Sequence, residues 1–181
     1  MPETIPLVTA DEFEKWPEEE GKTELVDGRV VSMSQVGYRH GRVVGRIVSL
    51  LDQHVRVQDL GVVVLEVGFT LRRHPDTVRA PDVAFLRKER IPAIEPLGVW
   101  EGPPDLAIEV LSPDDRPGEM RRKVRDYLTG SVAVVLVVDL DKQSITVSRA
   151  STPAVTLREN DTLDIGDVVS GFHCTVREIF E

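Results

Sequence analysis

The chain reads as an α/β protein in the α+β sense: a central mixed β-sheet flanked by helices, with a β-hairpin near the N-terminus. Three stretches carry that reading. Residues 132–138 are an unbroken apolar run, typical of a strand buried on both faces and paired in parallel. Before them, residues 105–112 alternate as a strand and residues 120–128 show a helical stripe. Strand, helix and strand make a crossover unit, right-handed by rule. Residues 23–33 supply the hairpin, two apolar runs around Asp27-Gly28, a strong two-residue turn signal.

The remaining elements follow in order. Residues 1–20 form an acidic lead-in, with Thr9 or Asp11 placed to cap a short helix that Pro17 stops. Glu24 shares a strand face with Val26, pointing to the site or to solvent, with solvent the favoured reading from residues alone. From residue 38, Val43, Ile47, Leu50, Leu51 and Val55 make one helical stripe. Arg39 and His40 stand in its first turn, able to receive a phosphate or to form a solvated face, the commoner outcome. Residues 62–71 read as one long strand, with Glu66 its single charge, on an exposed face or as a further acid near the site. Residues 72–76 turn the chain, and residues 79–86 return as a strand in which Pro81 fits a beginning or an edge. Residues 87–104 form a proline-rich surface loop.

In the crossover unit, Asp105, Ala107, Glu109 and Leu111 share one face, and Leu106, Ile108 and Val110 the other. On the helix, Met120, Val124, Tyr127 and Leu128 form the apolar stripe, with Lys123 at its edge and Gly130 as its stop. Short strands and a small terminal helix complete the chain, with Asp139, Asp141 and the acids of residues 159–167 as turn and cap residues.

Composition bounds the function. The 181 residues fit one domain able to bury a substantial core. With 41% hydrophobic and 29% charged residues, the balance is that of a soluble globular protein. No apolar run is long enough to span a bilayer, and no secretion signal opens the chain, so a cytoplasmic protein without a membrane partner is expected. The single Cys174 excludes an intrachain disulfide, and with His173 alone beside it a zinc site is not expected. A net charge of −9 argues against a dedicated nucleic-acid binder. Its distribution softens the objection: residues 1–27 carry net −7, whereas residues 39–125 carry net +2.

Chemistry concentrates in residues 79–139. Asp82 and Glu109 lie on neighbouring short strands and Lys123 on the helix between strands, so two carboxylates and an ammonium can hold a divalent metal against a phosphodiester. An acid between Ile108 and Val110 is costly to bury unless compensated. Glu109 therefore pairs with an arginine, reaches solvent or binds metal. The residues alone thus point to a metal-dependent nuclease. No glycine-rich phosphate loop or nucleophile elbow competes with that reading.

The order helix, hairpin with PD, strand with E, helix, strand resembles the core of the PD-(D/E)XK nuclease superfamily. More closely, TELVDGRVVSM, YRHGRVVGRI, VRAPDVAFL, DLAIEVLSPDDRPGEMRRKVRDYL and DVVSGFHCTVREIF resemble, in that order, the Uma-two family of bacterial restriction endonuclease-like proteins, over residues 20–180. The resemblance implies a restriction endonuclease-like fold, with Asp82 as the motif Asp and Glu109 as the motif acid. One position departs from the superfamily pattern: the lysine expected two residues after Glu109 is Leu111, and the resemblance moves that role to Lys123. It also raises Glu24 to a site residue and places Ser112 and Tyr127 near the site. It further implies Mg²⁺ or Mn²⁺ on Asp82, Glu109 and the Val110 carbonyl, DNA as substrate and a homodimer. The competing expectation is a nuclease-like fold that binds or assembles without catalysis, as the acidic charge and lone domain suggest.

Overall fold

The computed structural model describes residues 6–16, 22–33, 35–113 and 115–181. Pro17 and part of the acidic lead-in lie outside them. Helix α1 (Ala10–Phe13) opens on a capping box: Glu12 N–H donates to Thr9 Oγ1 at 3.2 Å, and Thr9 N–H donates to the Glu12 carboxylate at 2.8 Å. Thr9 is therefore the cap. Strands β1 (Thr23–Val26) and β2 (Arg29–Ser32) form the expected hairpin, with Asp27 at φ 50° and Gly28 at φ 72°, the paired left-handed residues of a tight hairpin turn.

Helix α2 (Tyr38–Val57) buries Val43, Ile47, Leu51 and Val55, the stripe the sequence defines. The run after it is not one strand. It divides into β3 (Gly61–Val64) and β4 (Phe69–Arg72), which belong to different sheets. Glu66 stands in the break at φ 55°, so it belongs to no strand and strand alternation does not set its direction. The return divides likewise, into β5 (Thr77–Arg79) and β6 (Val83–Arg87), with Pro81 and Asp82 between them. The physical reason is shared. The two crossings between sheets lie side by side, and Glu66 N–H donates to Pro81 O at 3.2 Å. Gly68 fits there because a Cβ would stand 3.1 Å from Val78 Cγ1.

Strands β7 (Trp100–Glu101) and β8 (Leu106–Val110), helix α3 (Pro117–Thr129) and strands β9 (Val134–Asp139), β10 (Ser144–Arg149) and β11 (Thr152–Leu157) follow. Strands β12 (Thr162–Asp164) and β13 (His173–Thr175) and helix α4 (Val176–Phe180) close the described chain. One sheet runs β2-β1-β5-β4-β7 and a larger one β11-β10-β9-β8-β6-β3, with β12 and β13 paired separately. Both larger sheets are mixed: β8 and β9 pair in parallel, as do β4 and β7, and the other ladders are antiparallel. The sheet-flanking helices and mixed pairing match the expected fold class.

Leu106, Ile108 and Val110 face a core shared with α2 and α4, while Ala107 and Val135 face a second core under α3. The face assignment made from alternation therefore holds. At the end of α3, Gly130 has φ −76° and is not left-handed; a Cβ there would stand 2.9 Å from Leu71 Cβ. The left-handed residue is Ser131, at φ 74°. Close packing, not backbone freedom, requires the glycine.

Candidate active site

The ladder between β6 and β8 sets the two motif acids opposite each other. Val83 pairs with Ile108 in antiparallel register, so the next step outward sets Asp82 against Glu109. Glu109 lies on the α3 face of its strand, where it is buried. Helix α3 meets it with two residues one turn apart, the only buried ones on that helix among the described residues. Tyr127 OH donates to Glu109 Oε1 at 2.6 Å, and Lys123 Nζ donates to Oε2 at 2.9 Å. Lys123 thus sits at the centre of the packed face rather than at its edge.

Lys123 also bridges to the hairpin. Its ammonium lies 3.1 Å from Glu24 Oε1, an atom that accepts from Ala80 N–H at 3.0 Å. Glu24 Oε2 accepts from Arg79 Nη1 at 2.8 Å. Glu24 is 0% exposed, which overturns the solvent-facing reading. The compensation is local: Arg79, Lys123 and a backbone N–H surround a carboxylate that the sheet has taken out of water. Arg79 is held from its other side by Asp126, to which its Nε donates at 3.1 Å.

Asp82 meets a different set. Val110 N–H donates to Asp82 Oδ2 at 2.7 Å, and His40 Nε2 lies 3.2 Å from the same oxygen. Lys22 Nζ stands 3.5 Å from Oδ1. His40 is buried, so its partner is an acid of the site rather than solvent.

These surroundings separate the acids electrostatically. Burial pushes the Glu109 carboxyl up to about 7; Lys123 opposes the rise, and Asp82 and Glu24 add to it. Burial acts on Asp82 and Glu24 too, but is outweighed. The His40 contact, the Lys22 ammonium and the Val110 N–H hold Asp82 below its ordinary value. The Lys123 and Arg79 charges do the same for Glu24. His40 is raised, first by its bond to Asp82 and against its own burial. Lys123 is raised although burial opposes it, since Glu109 and Glu24 both favour its ammonium form. Near neutral pH, Glu109 is thus the acid poised to change state.

Asp82, Glu109, Lys123, His40, Val110 and Ser112 line one cleft of about 300 Å³. Ser112 N–H is tied to Asp115 Oδ2 at 2.7 Å. Other candidates fall elsewhere. Tyr127 is wholly buried beneath Glu109 and does not line the cleft, so it orients the acid rather than touching substrate. Arg39 leaves the cleft, its guanidinium 2.9 Å from Leu140 O and 3.2 Å from Asp141 Oδ1. The exposed Glu66 lies 4.0 Å from Lys22. Sequence reasoning missed Arg79 and Lys22. Once the acids are known to be buried, a charge count calls for further cations, since three carboxylates need more than Lys123 to stay paired, but it does not say which residues supply them.

Hard oxygen donors on facing strands suit a divalent cation of the Mg²⁺ or Mn²⁺ kind. Among the described residues no three His, Cys, Asp or Glu side chains gather to hold a metal. Asp82 and Glu109 would therefore need backbone or water oxygens to complete a coordination sphere, and the chemistry of this donor set fits such an ion.

Comparison with known proteins agrees with the architecture. The Uma2 family model, described as "Putative restriction endonuclease", matches residues 10–177. The chain is similar to a solved structure from Anabaena variabilis, described as a "putative nuclease belonging to DUF820", with TM-score 0.86 and 24% identity over 96% of this chain and 97% of that one. That likeness shows the fold. None of the curated proteins compared with the chain matches it.

Proposed function

The chain belongs to the Uma2 family of restriction endonuclease-like proteins, and from that premise we propose that it is a metal-dependent endonuclease hydrolysing phosphodiester bonds, foremost in DNA. Asp82, Glu109 and the Val110 carbonyl would hold Mg²⁺ or Mn²⁺. Such an ion, when bound, supplies Lewis-acid polarisation of the phosphoryl group and a more acidic water. Lys123 neutralises the charge that develops on the phosphoryl oxygens. Glu24 holds Lys123 in place from the hairpin side, and Tyr127 fixes the Glu109 carboxylate from below. His40 orients Asp82, and Ser112 sits where the cleft wall meets the substrate backbone.

One observation carries the reading. Lys123 Nζ lies 2.9 Å from Glu109 Oε2 although it comes from a helix and not from the position two residues after the acid. In this reading the cytoplasmic chain acts as one domain, and as a homodimer to reach both strands of a duplex.

The test is cleavage of plasmid DNA, linear DNA and RNA with Mg²⁺ and Mn²⁺. Wild-type protein should cut DNA with either ion, stop on chelation and lose activity as Asp82→Asn. Equal cutting by that variant, or none by the wild type on any substrate, rejects the proposal. A second reading, a nuclease-like module that binds without cutting, draws on one specific feature. Both oxygens of Glu24 and of Glu109 already have protein partners. A silent Mn²⁺ titration by calorimetry favours that reading, and a response lost in Glu109→Gln favours the enzyme.

A further inference from the structure

Lys22 takes no part in the chemistry above, yet it stands on Asp82, the more open of the two acids assigned to the ion. Asp82 Oδ2 is committed to Val110 N–H and His40, which leaves Oδ1, and the Lys22 ammonium is 3.5 Å from it. The same ammonium is 4.0 Å from Glu66 Oε1. Among the described residues Lys22 is the one that lines both the site cleft and a neighbouring cavity of about 430 Å³, which Glu66 also lines. The two acceptors differ in character: the Asp82 side chain is 9% exposed and that of Glu66 57%. Their spacing is built into the fold, because Glu66 N–H donates to Pro81 O, the residue before Asp82.

We propose that Lys22 is a tethered counter-cation of Asp82 that a divalent ion must displace, and that the displaced ammonium moves onto Glu66 in the adjoining cavity. The inference rests on the reading of Asp82 as an ion ligand. Two cations cannot share Oδ1 at contact distance without repulsion. A monovalent ion that replaces an ammonium gains no charge, whereas a divalent one gains a unit, so the arrangement selects for divalent ions. It also keeps a mostly buried carboxylate paired whenever the ion is absent. Lys123 cannot play this part, since it is locked between Glu24 and Glu109.

The experiment is calorimetric titration of Mn²⁺ into the full chain, with thermal unfolding to confirm that each variant is folded. Lys22→Met should bind Mn²⁺ about tenfold more tightly than wild type. Lys22→Arg, which keeps the charge, should stay within about twofold of wild type, and Glu66→Gln should weaken binding about twofold to threefold. Arg122→Met is the control for a general field effect, because Arg122 lines the cleft but pairs with Asp27. It should shift affinity by less than about twofold. Wild-type binding with no tightening in Lys22→Met overturns this inference alone, as does equal tightening in Arg122→Met. An unchanged Glu66→Gln removes Glu66 as the receiving acid and overturns the proposal as stated. Absence of Mn²⁺ binding in every variant, Lys22→Met included, overturns the ion-ligand reading itself.

Discussion

The two faces of the six-stranded sheet are built on opposite terms. On the α2 side, Leu106, Ile108, Val110, Val134, Leu136 and Val138 meet Val43, Ile47, Leu51 and Val55 in an apolar core, with His40 in the first turn of α2 bonded to Asp82. On the α3 side the same strands present Ala107, Val135 and Glu109, and the helix answers with Lys123 and Tyr127. The first face stabilises the protein by removing apolar area from water. The second takes charged groups out of water, and such pairs are often no better for stability than an apolar core. A fold that tolerates the second face next to the first keeps it for something other than stability.

The two faces differ most at Lys123. Lys123→Met leaves Glu24 and Glu109 without their shared cation, and should cost about 3–5 kcal/mol in urea unfolding. Adding Glu109→Gln to that variant should recover part of the loss. Absence of any recovery would mean that the ammonium matters only for packing. On the apolar face, Leu51→Ala should cost about 2–5 kcal/mol and leave the cleavage rate per folded molecule unchanged. A rate change there would mean that the two faces are not separate.

The two faces also differ in their response to pH. Glu109 is pushed up from an ordinary 4.5 to about 7, mainly by burial. The native state therefore holds more protons than the unfolded chain between those values, and this group lowers stability as pH rises through the window. Urea midpoints measured in chelator from pH 5 to pH 8 should fall less for Glu109→Gln than for wild type. At pH 8 the variant should be the more stable protein. An identical pH slope in both would show that Glu109 stays ionised throughout. The smallest effect belongs to Arg39, outside both faces: Arg39→Ala should change stability by less than about 0.5 kcal/mol and leave cleavage unaltered.

Much of the apolar face is legible in the sequence, because periodicity alone marks Val43, Ile47, Leu51 and Val55 and the alternation of Leu106, Ile108 and Val110. The crossover unit is legible for the same reason: an unbroken apolar strand needs cover on both sides. What escapes is where the chain changes sheets. Residues 62–71 and 79–86 each keep strand character through the corner, and only the tertiary packing that joins Glu66 to Pro81 divides them. Within the site, strand alternation places Glu109 on the α3 face, and helical phase brings Lys123 to the edge of the packed stripe, one step short of the centre it occupies. The burial of Glu24 does not follow from either, since a lone acid in a short strand looks like a solvent residue until Arg79 and Lys123 are seen around it. Arg39 and His40 show the limit most simply. They are neighbours in sequence, yet one turns to Asp82 and the other to Asp141, a direction set by what each meets.

The most direct measurement joins the two properties of Glu109. The Mn²⁺-dependent cleavage rate of Glu109→Gln is compared with that of wild type at pH 8, at equal folded fraction. The variant should be more stable and at least about 100-fold slower, the pattern of a group that costs stability and serves chemistry. A variant that cuts DNA at the wild-type rate, or a wild type whose cutting is indifferent to chelator, would contradict that role for Glu109.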